Sequence, residues 1–165
     1  MGIDGIGLLG DTWNVRFVDG SFDSLFGGFS GLDFITQGDS LTASYALLNA
    51  YNHIDLAIYT ESPELTNGIS SPSQGIFYTP YLLLEGNVHI TRFFNSSGAG
   101  AAADDTSSSA PFSILTTTTN VADMVYADWH IAPVPVPAAV WLMGSGLLGL
   151  AGYSRKRSKI SKTIF

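Results

Sequence analysis

A stretch of sixteen residues without a charged side chain, Ala138 to Tyr153, is the feature that most constrains this chain. It follows alternating prolines, Pro133, Pro135 and Pro137, and it precedes five basic residues within the last eleven positions. A helix of this length measures roughly 24 Å at about 1.5 Å per residue, somewhat short of the ~30 Å hydrocarbon core. Aromatic residues at the interfaces and snorkelling lysines would allow it to span. The order of these features predicts a single C-terminal transmembrane helix over residues 138–153.

The charges on either side of this stretch predict its orientation. Basic residues next to a membrane helix stay in the cytoplasm, so Arg155, Lys156 and Arg157 predict a cytoplasmic C-terminus and a body on the far side of the membrane. The alternative is a buried core helix that ends in a solvated basic segment. Alternating prolines remove backbone donors and favour an extended, exposed chain, which is a poor approach to a core helix. The membrane helix is therefore the preferred interpretation.

The remainder of the chain is acidic and poor in charge. Arg16 and Arg92 are the only basic side chains before residue 155, whereas all fourteen acids lie before residue 130. Such a body should be soluble and should repel nucleic acid, which is bound by clustered lysine and arginine. The absence of cysteine excludes disulfides and thiolate metal sites. We expect no nucleic-acid partner.

Short strand-like segments dominate the body. Thr12 to Val18, Ile114 to Thr119 and Met124 to Ile131 are rich in strand formers, and Tyr81 to Leu84 with Val88 to Phe94 predicts a hairpin. One helix is predicted from Asp39 to Tyr51, with Leu41, Tyr45, Leu48 and Tyr51 at helical spacing and Asp39 or Ser40 as its cap. Residues 22–29, 62–75 and 96–109 are predicted loops. The predicted fold is α+β or mainly-β: a small strand-rich ectodomain over 1–131 with one helix, and a C-terminal segment over 132–165.

The C-terminal segment resembles the PEP-CTERM sorting domain. The resemblance rests on the proline motif, an apolar run with a Gly-Ser-Gly centre, and an Arg/Lys cluster. Val136 stands where the family name has Glu. The body also resembles a recurring PEP-CTERM ectodomain, through the residues from Trp13 to Phe22 and from Ala43 to Leu48.

The resemblance implies an exported protein of a Gram-negative bacterium that makes exopolysaccharide. It also implies one partner, exosortase, an inner-membrane enzyme that processes such tails. The processing motif would be Val134, Pro135, Val136 and Pro137. The membrane helix would include Ala138, Trp141, Gly144, Ser145, Gly146, Gly149 and Tyr153, and Arg155, Lys156 and Arg157 would form the basic stop within a tail over 155–162.

An exported chain should begin with a basic and then an apolar segment, but Met1 to Gly10 has no basic residue. We therefore expect the N-terminal signal peptide to be missing from this sequence.

Few residues of the body suggest chemistry. The segment from Gly5 to Gly10 matches G-x-G-x-x-G, but a strand rather than a helix is predicted after it, which disfavours dinucleotide binding. The three histidines, His53, His89 and His130, lack metal-ligand spacing. Five aromatic residues have the chemistry to stack on sugar rings, although most are better explained as core: Trp13, Phe22, Tyr59, Tyr78 and Trp129. We expect no cofactor and no catalytic or metal site.

The sequence therefore predicts a non-catalytic surface or extracellular-matrix protein, associated with biofilm and exopolysaccharide. It would be held in the inner membrane during transit and then processed by exosortase and passed to the cell surface. The alternative is an uncleaved, single-pass membrane protein with a periplasmic ligand-binding or enzymatic domain.

Overall fold

The computed structural model describes residues 2–53, 57–97, 105–108, 111–119, 121–133 and 143. The chain divides into two units, Met1–Ala132 and Pro133–Phe165. We call the first unit the body. The secondary-structure elements described below all belong to it.

The body is strand-rich with few helices, as expected for an α+β or mainly-β protein. The strands are β1 (Gly2–Leu8), β2 (Asp11–Val18), β3 (Gln74–Leu84), β4 (Asn87–Ser96), β5 (Asp105–Ser108), β6 (Phe112–Ser113) and β7 (Met124–Ile131). The helices are α1 (Phe22–Phe26), α2 (Gln37–Tyr51) and α3 (Ala57–Glu61), with single 3-10 turns at Phe29–Gly31 and Pro63–Leu65. The prediction of one helix was incomplete, because α1 and α3 are also present.

The strands form one sheet in the order β1-β2-β7-β3-β4-β5, with β6 also paired to β4. The last strand, β7, lies in the middle of this sheet. It pairs antiparallel with β2, with Trp13 opposite Ile131, and parallel with β3, with Ile76 opposite Met124. The predicted strand Met124–Ile131 is confirmed residue for residue, and β2 matches its prediction within one residue.

Two tight hairpins determine the register at one end of the sheet. The β3–β4 hairpin turns at Glu85 and Gly86, and the β1–β2 hairpin turns at Leu9 and Gly10, all four with positive φ. Two consecutive positive φ values are typical of the type I′ turns that match the twist of paired strands. The predicted β3–β4 hairpin is confirmed, although β3 begins earlier, at Gln74. Gly5 to Gly10 lies in β1 and its turn, so this segment is not a strand-to-helix dinucleotide loop.

Helix α2 is confirmed, but its cap was predicted wrongly and its predicted face is only partly buried: Tyr51 is fully buried and Leu48 packs against the core. Thr36 caps the helix through its side chain, which accepts a hydrogen bond from the Asp39 amide at 3.1 Å. Tyr45 is 48% exposed, and the buried positions are Ser40, Ala43, Ser44, Leu47 and Tyr51. Two of these buried residues are serines, which a search for apolar periodicity does not score.

The buried serines of α2 bind hydroxyl and carbonyl groups of the sheet. The Ser40 hydroxyl donates to the Thr79 carbonyl at 2.8 Å and lies 2.6 Å from Thr91 Oγ1, and Ser44 Oγ lies 2.9 Å from the same Thr91 atom. Trp129 Nε1 donates to Thr79 Oγ1 at 3.4 Å. Buried polar groups require such partners, and here they connect α2 to β3, β4 and β7.

Three loop or strand predictions were wrong. Residues 22–26 form α1, because Ser21 and Ser24 form a capping box and Phe22 is fully buried. Residues 114–119 are not a strand: they form a turn after β6 and a single bridge from Thr117 to Ser21. The predicted loop over 96–109 contains β5, while residues 98–104 and 109 lie outside the described part.

Two apolar clusters cover the two faces of the sheet. The cluster under α2 joins Trp13, Phe17, Phe77, Phe93 and Trp129 to Leu47 and Tyr51 of the helix. The cluster on the opposite face joins Phe22 of α1 to Val88, Ile90 and Tyr126. Both faces are thus covered over the centre of the sheet.

Candidate functional site

The structured body ends where the proline-rich segment begins. Strand β7 ends at Ile131, and the Ala132 amide donates to the Thr12 carbonyl at 2.8 Å. The next residue, Pro133, is exposed, and a proline has no backbone N–H to extend the pairing. We call the end of the sheet at which β7 ends the exit end.

A polar ladder occupies the solvent-facing side of β2 and β7, with His130 at the exit end and Arg16 in the interior of β2. Asp128 lies opposite Arg16 and His130 lies opposite Asn14 in the antiparallel register. His130 Nε2 lies 3.0 Å from Asp128 Oδ2, and Arg16 Nη1 donates to Asp4 Oδ1 at 2.6 Å. Both ion pairs are largely solvated, so each contributes little stability.

Asp33 lies beside this ladder and is the carboxylate with the clearest electrostatic perturbation in the described chain. Although Asp33 as a residue is exposed, loss of hydration at its carboxyl, together with repulsion from the negative Asp128, raises its pKa to about 6. His130 and a hydrogen bond from the Trp129 backbone amide act in the opposite direction. No local sequence pattern indicates Asp33, because Asp128 and His130, which act on its carboxyl, are about a hundred positions away along the chain.

The raised pKa of Asp33 predicts a pH-dependent stability. Because the folded-state pKa of about 6 exceeds the ordinary value of 3.8, the folded state loses stability as pH rises from about 4 to 6. Asp33→Asn should therefore stabilise the protein at pH 7, by about 1 kcal/mol once solvent screening is considered, and should have little effect at pH 4.

Thermal unfolding of the native protein and of the Asp33→Asn variant, each at pH 4 and at pH 7, checks this prediction. Asp11→Asn, an exposed change of the same charge on β2, is the control and should not show the pH-dependent gain. Equal effects of the Asp33 variant at pH 4 and pH 7 would contradict the argument.

The surface grooves do not assemble a reactive centre around Asp33. A groove of about 520 Å³ is lined by residues 2–6, Ala50 and His53, and one of about 530 Å³ by Asp19, residues 68–70 and Val121. A smaller apolar groove of about 250 Å³ is lined by Tyr78, residues 116–118, Val121 and Met124. Asp33 lines none of these three grooves.

The residues considered for ligand binding lie apart from one another or in the core. His53 follows α2, His89 belongs to β4 and His130 to β7, and no three potential metal ligands come together among the described residues. The aromatic side chains of Trp13, Phe22, Tyr78 and Trp129 are buried, and Tyr59 is half-buried. The rings of Trp13, Phe22 and Trp129 offer no exposed face on which a sugar could stack, whereas Tyr78 lines the apolar groove of about 250 Å³.

Comparison with known proteins identifies the segment beyond the body. A family model, the PEP-CTERM protein-sorting motif, matches residues 133–157. The chain carries a PEP-CTERM sorting signal. Neither a curated protein nor a solved structure matches the chain significantly.

The PEP-CTERM signal indicates an exported protein that exosortase recognises. The matched range begins one residue after the last sheet hydrogen bond of the body and includes the proline motif, the apolar run and the basic stop. The same range leaves Lys159 and Lys162 outside the motif.

The predicted residues of the PEP-CTERM signal lie outside the described part of the chain. This applies to the processing motif at 134–137, to the proposed membrane positions from Ala138 to Tyr153 except Met143, and to Arg155, Lys156 and Arg157. The predicted transmembrane helix likewise lies outside it. In the part of the chain that is described, no helix is both long enough and apolar enough to cross a bilayer.

Proposed function

We propose that this protein is a non-catalytic component of the cell surface or extracellular matrix of an exopolysaccharide-producing Gram-negative bacterium. Its apolar run, residues 138–153, holds it in the inner membrane during transit with the C-terminus in the cytoplasm. Exosortase then cuts near Pro135, Val136 and Pro137, and the body passes to the surface. These prolines are substrate positions, and the catalytic groups belong to exosortase.

The observation that carries the proposal is the coincidence of two boundaries. The last hydrogen bond of the sheet is made by Ala132, and the family match begins at Pro133. A cut at 135–137 therefore removes no strand, helix or core residue of the body. The sheet hydrogen bonds described for the body all lie before the proposed cut.

The charge distribution supports release from the membrane. Residues 1–137 contain two basic and fourteen acidic side chains, a net charge of −12 with neutral histidines. The basic residues that would retain the chain at the membrane all lie beyond the proposed cut. A strongly acidic product is soluble and repels both itself and anionic surfaces, so a matrix partner would be a neutral rather than an acidic polysaccharide.

The arrangement of polar residues supports a non-catalytic role. Acid–base or nucleophilic catalysis requires a nucleophile, a base and stabilising donors converging on one cavity. In the described part of the body, the perturbed carboxyl of Asp33 lies outside the three grooves, and the serine and threonine hydroxyls at Ser40, Ser44 and Thr91 are buried in structural hydrogen bonds.

The intact mass of the surface-exposed protein, with exosortase present and deleted, tests the proposal. We expect a product ending near residue 137 when exosortase is present, and a full tail when it is deleted. A full tail in both strains would support the alternative, a permanently anchored protein with a periplasmic binding or enzymatic domain.

A further inference from the structure

Exposed large apolar side chains collect at the exit end of the sheet. Leu9 lies in the β1–β2 turn, Leu84 precedes the β3–β4 turn, Leu115 follows β6, and Ile131 ends β7. Their exposed fractions are 53%, 53%, 72% and 56%. We call these four residues the exit rim.

The topology places all four at the same end. Strand β2 begins opposite the end of β7, because Trp13 pairs with Ile131, so the β1–β2 turn lies at the exit end. Strand β3 runs parallel to β7, so its last residue, Leu84, also lies at the exit end. The Ile114 amide donates to the Gly86 carbonyl at 3.1 Å, which places Leu115 beside the β3–β4 turn.

Single exposed leucines are ordinary on a protein surface, but their concentration at this end is informative. Arg16 and Arg92, the basic side chains of the body, belong to the interiors of β2 and β4. Asp11 and Glu85 are the charged residues next to the two turns. The rim is thus apolar with a few negative charges, which favours an uncharged or zwitterionic surface over an anionic one.

The length of chain beyond β7 limits how far this end can be from the membrane. Five residues, 133–137, separate Ala132 from the apolar run that begins at Ala138. A fully extended chain spans at most about 3.5 Å per residue, so the rim end is tethered within about 20 Å of the run. That distance is comparable to the thickness of the lipid headgroup layer together with the height of one hairpin turn, so the exit end can reach the lipid headgroups.

We propose that the exit rim rests on the zwitterionic lipid surface of the membrane while the protein is still anchored. This inference rests on the proposed function, in that residues 138–153 must lie in the bilayer. Leucine and isoleucine side chains at the ends of the sheet enter the interfacial layer, as apolar faces of peripheral proteins do. The contact turns the exit end of the body toward the lipid surface.

Single-cysteine labelling tests the contact, because the chain has no cysteine of its own. Leu84→Cys and Leu115→Cys carry a fluorophore at the rim. Ile58→Cys, 60% exposed in α3, is the matched control at the opposite end, where Tyr59 bonds to Asn95 near the end of β4. The full-length chains are placed in phosphatidylcholine liposomes that contain a nitroxide-labelled phosphatidylcholine.

We expect at least twofold quenching of the rim labels and less than a fifth of that effect at residue 58. Two results would overturn this inference and leave the proposed function intact. One is equal quenching at all three positions, and the other is no quenching at the rim in chains that float with the liposomes. Failure of the chain to float with the liposomes would overturn the membrane-held tail of the proposed function as well.

A second pair of variants separates lipid contact from general hydrophobicity. Leu84→Asp with Leu115→Asp should reduce the quenching of a label at Leu9→Cys at least twofold. Ile58→Asp with Leu65→Asp, which changes equally exposed positions away from the exit end, should leave that quenching unchanged. Similar losses from both pairs would argue against a contact specific to the rim.

Discussion

Replacing Arg155, Lys156 and Arg157 with glutamine is expected to lower the amount of processed protein at the cell surface at least tenfold. These residues lie within the matched motif and are the proposed basic stop, and basic charges beside a membrane helix favour a cytoplasmic end. Without them the apolar run can pass through the membrane instead of stopping in it. Exosortase would then lose the anchored substrate that it processes.

Lys159 and Lys162 provide a control of the same chemistry. They lie beyond residue 157, where the family match ends. Lys159→Gln with Lys162→Gln should leave processing within about twofold of the native level, because three of the five basic residues remain. The measurement is the ratio of processed to total protein, by immunoblot of surface and whole-cell fractions. Equal losses in both variants would mean that total charge matters rather than the motif.

Phe77→Ala is expected to cost about 3–5 kcal/mol of unfolding free energy. Phe77 is fully buried in β3, and its ring centroid lies 4.9 Å from Phe93, 5.0 Å from Phe17 and 5.2 Å from Tyr51. Removing the ring leaves a cavity between α2, β2 and β4, whose rigid aromatic neighbours cannot collapse to fill it.

Leu84→Ala is the control on the same strand, since Leu84 is 53% exposed and should cost no more than about 0.5 kcal/mol. Urea unfolding of the detergent-solubilised chain, followed by circular dichroism, measures both. A cost below about 1.5 kcal/mol for Phe77→Ala would contradict the close packing of its ring against Phe93, Phe17 and Tyr51.

The elements that the sequence predicted best are those whose local pattern agrees with their environment. Strand β7 and the β3–β4 hairpin combine branched and aromatic residues with a recognisable turn at Glu85 and Gly86. Strand β1 was not predicted, because its Gly-rich sequence has weak strand propensity and is held by pairing with β2. The buried face of α2 was only partly predicted, because Ser40 and Ser44 are buried through hydrogen bonds to distant strands.

The candidate sites likewise differ in whether a local stretch of sequence contains all of their residues. The sorting signal is linear: the prolines, the apolar run and the basic stop follow one another, so a single sequence contains the whole pattern. Asp33 owes its raised pKa first to burial of its carboxyl and then to Asp128, and both arise only when the chain has folded. The exit rim likewise depends on which strand ends share one end of the sheet.

The position of β7 also has a consequence for the timing of folding. The β1–β2 and β3–β4 hairpins can form early from local contacts, but β7 is the strand that lies between β2 and β3. The sheet therefore cannot close until residues 124–131 are available, almost at the end of the body. Such long-range pairing is slow to form. For a chain that crosses a membrane before it folds, a central strand that arrives last keeps the translocating polypeptide open until nearly all of the body has crossed.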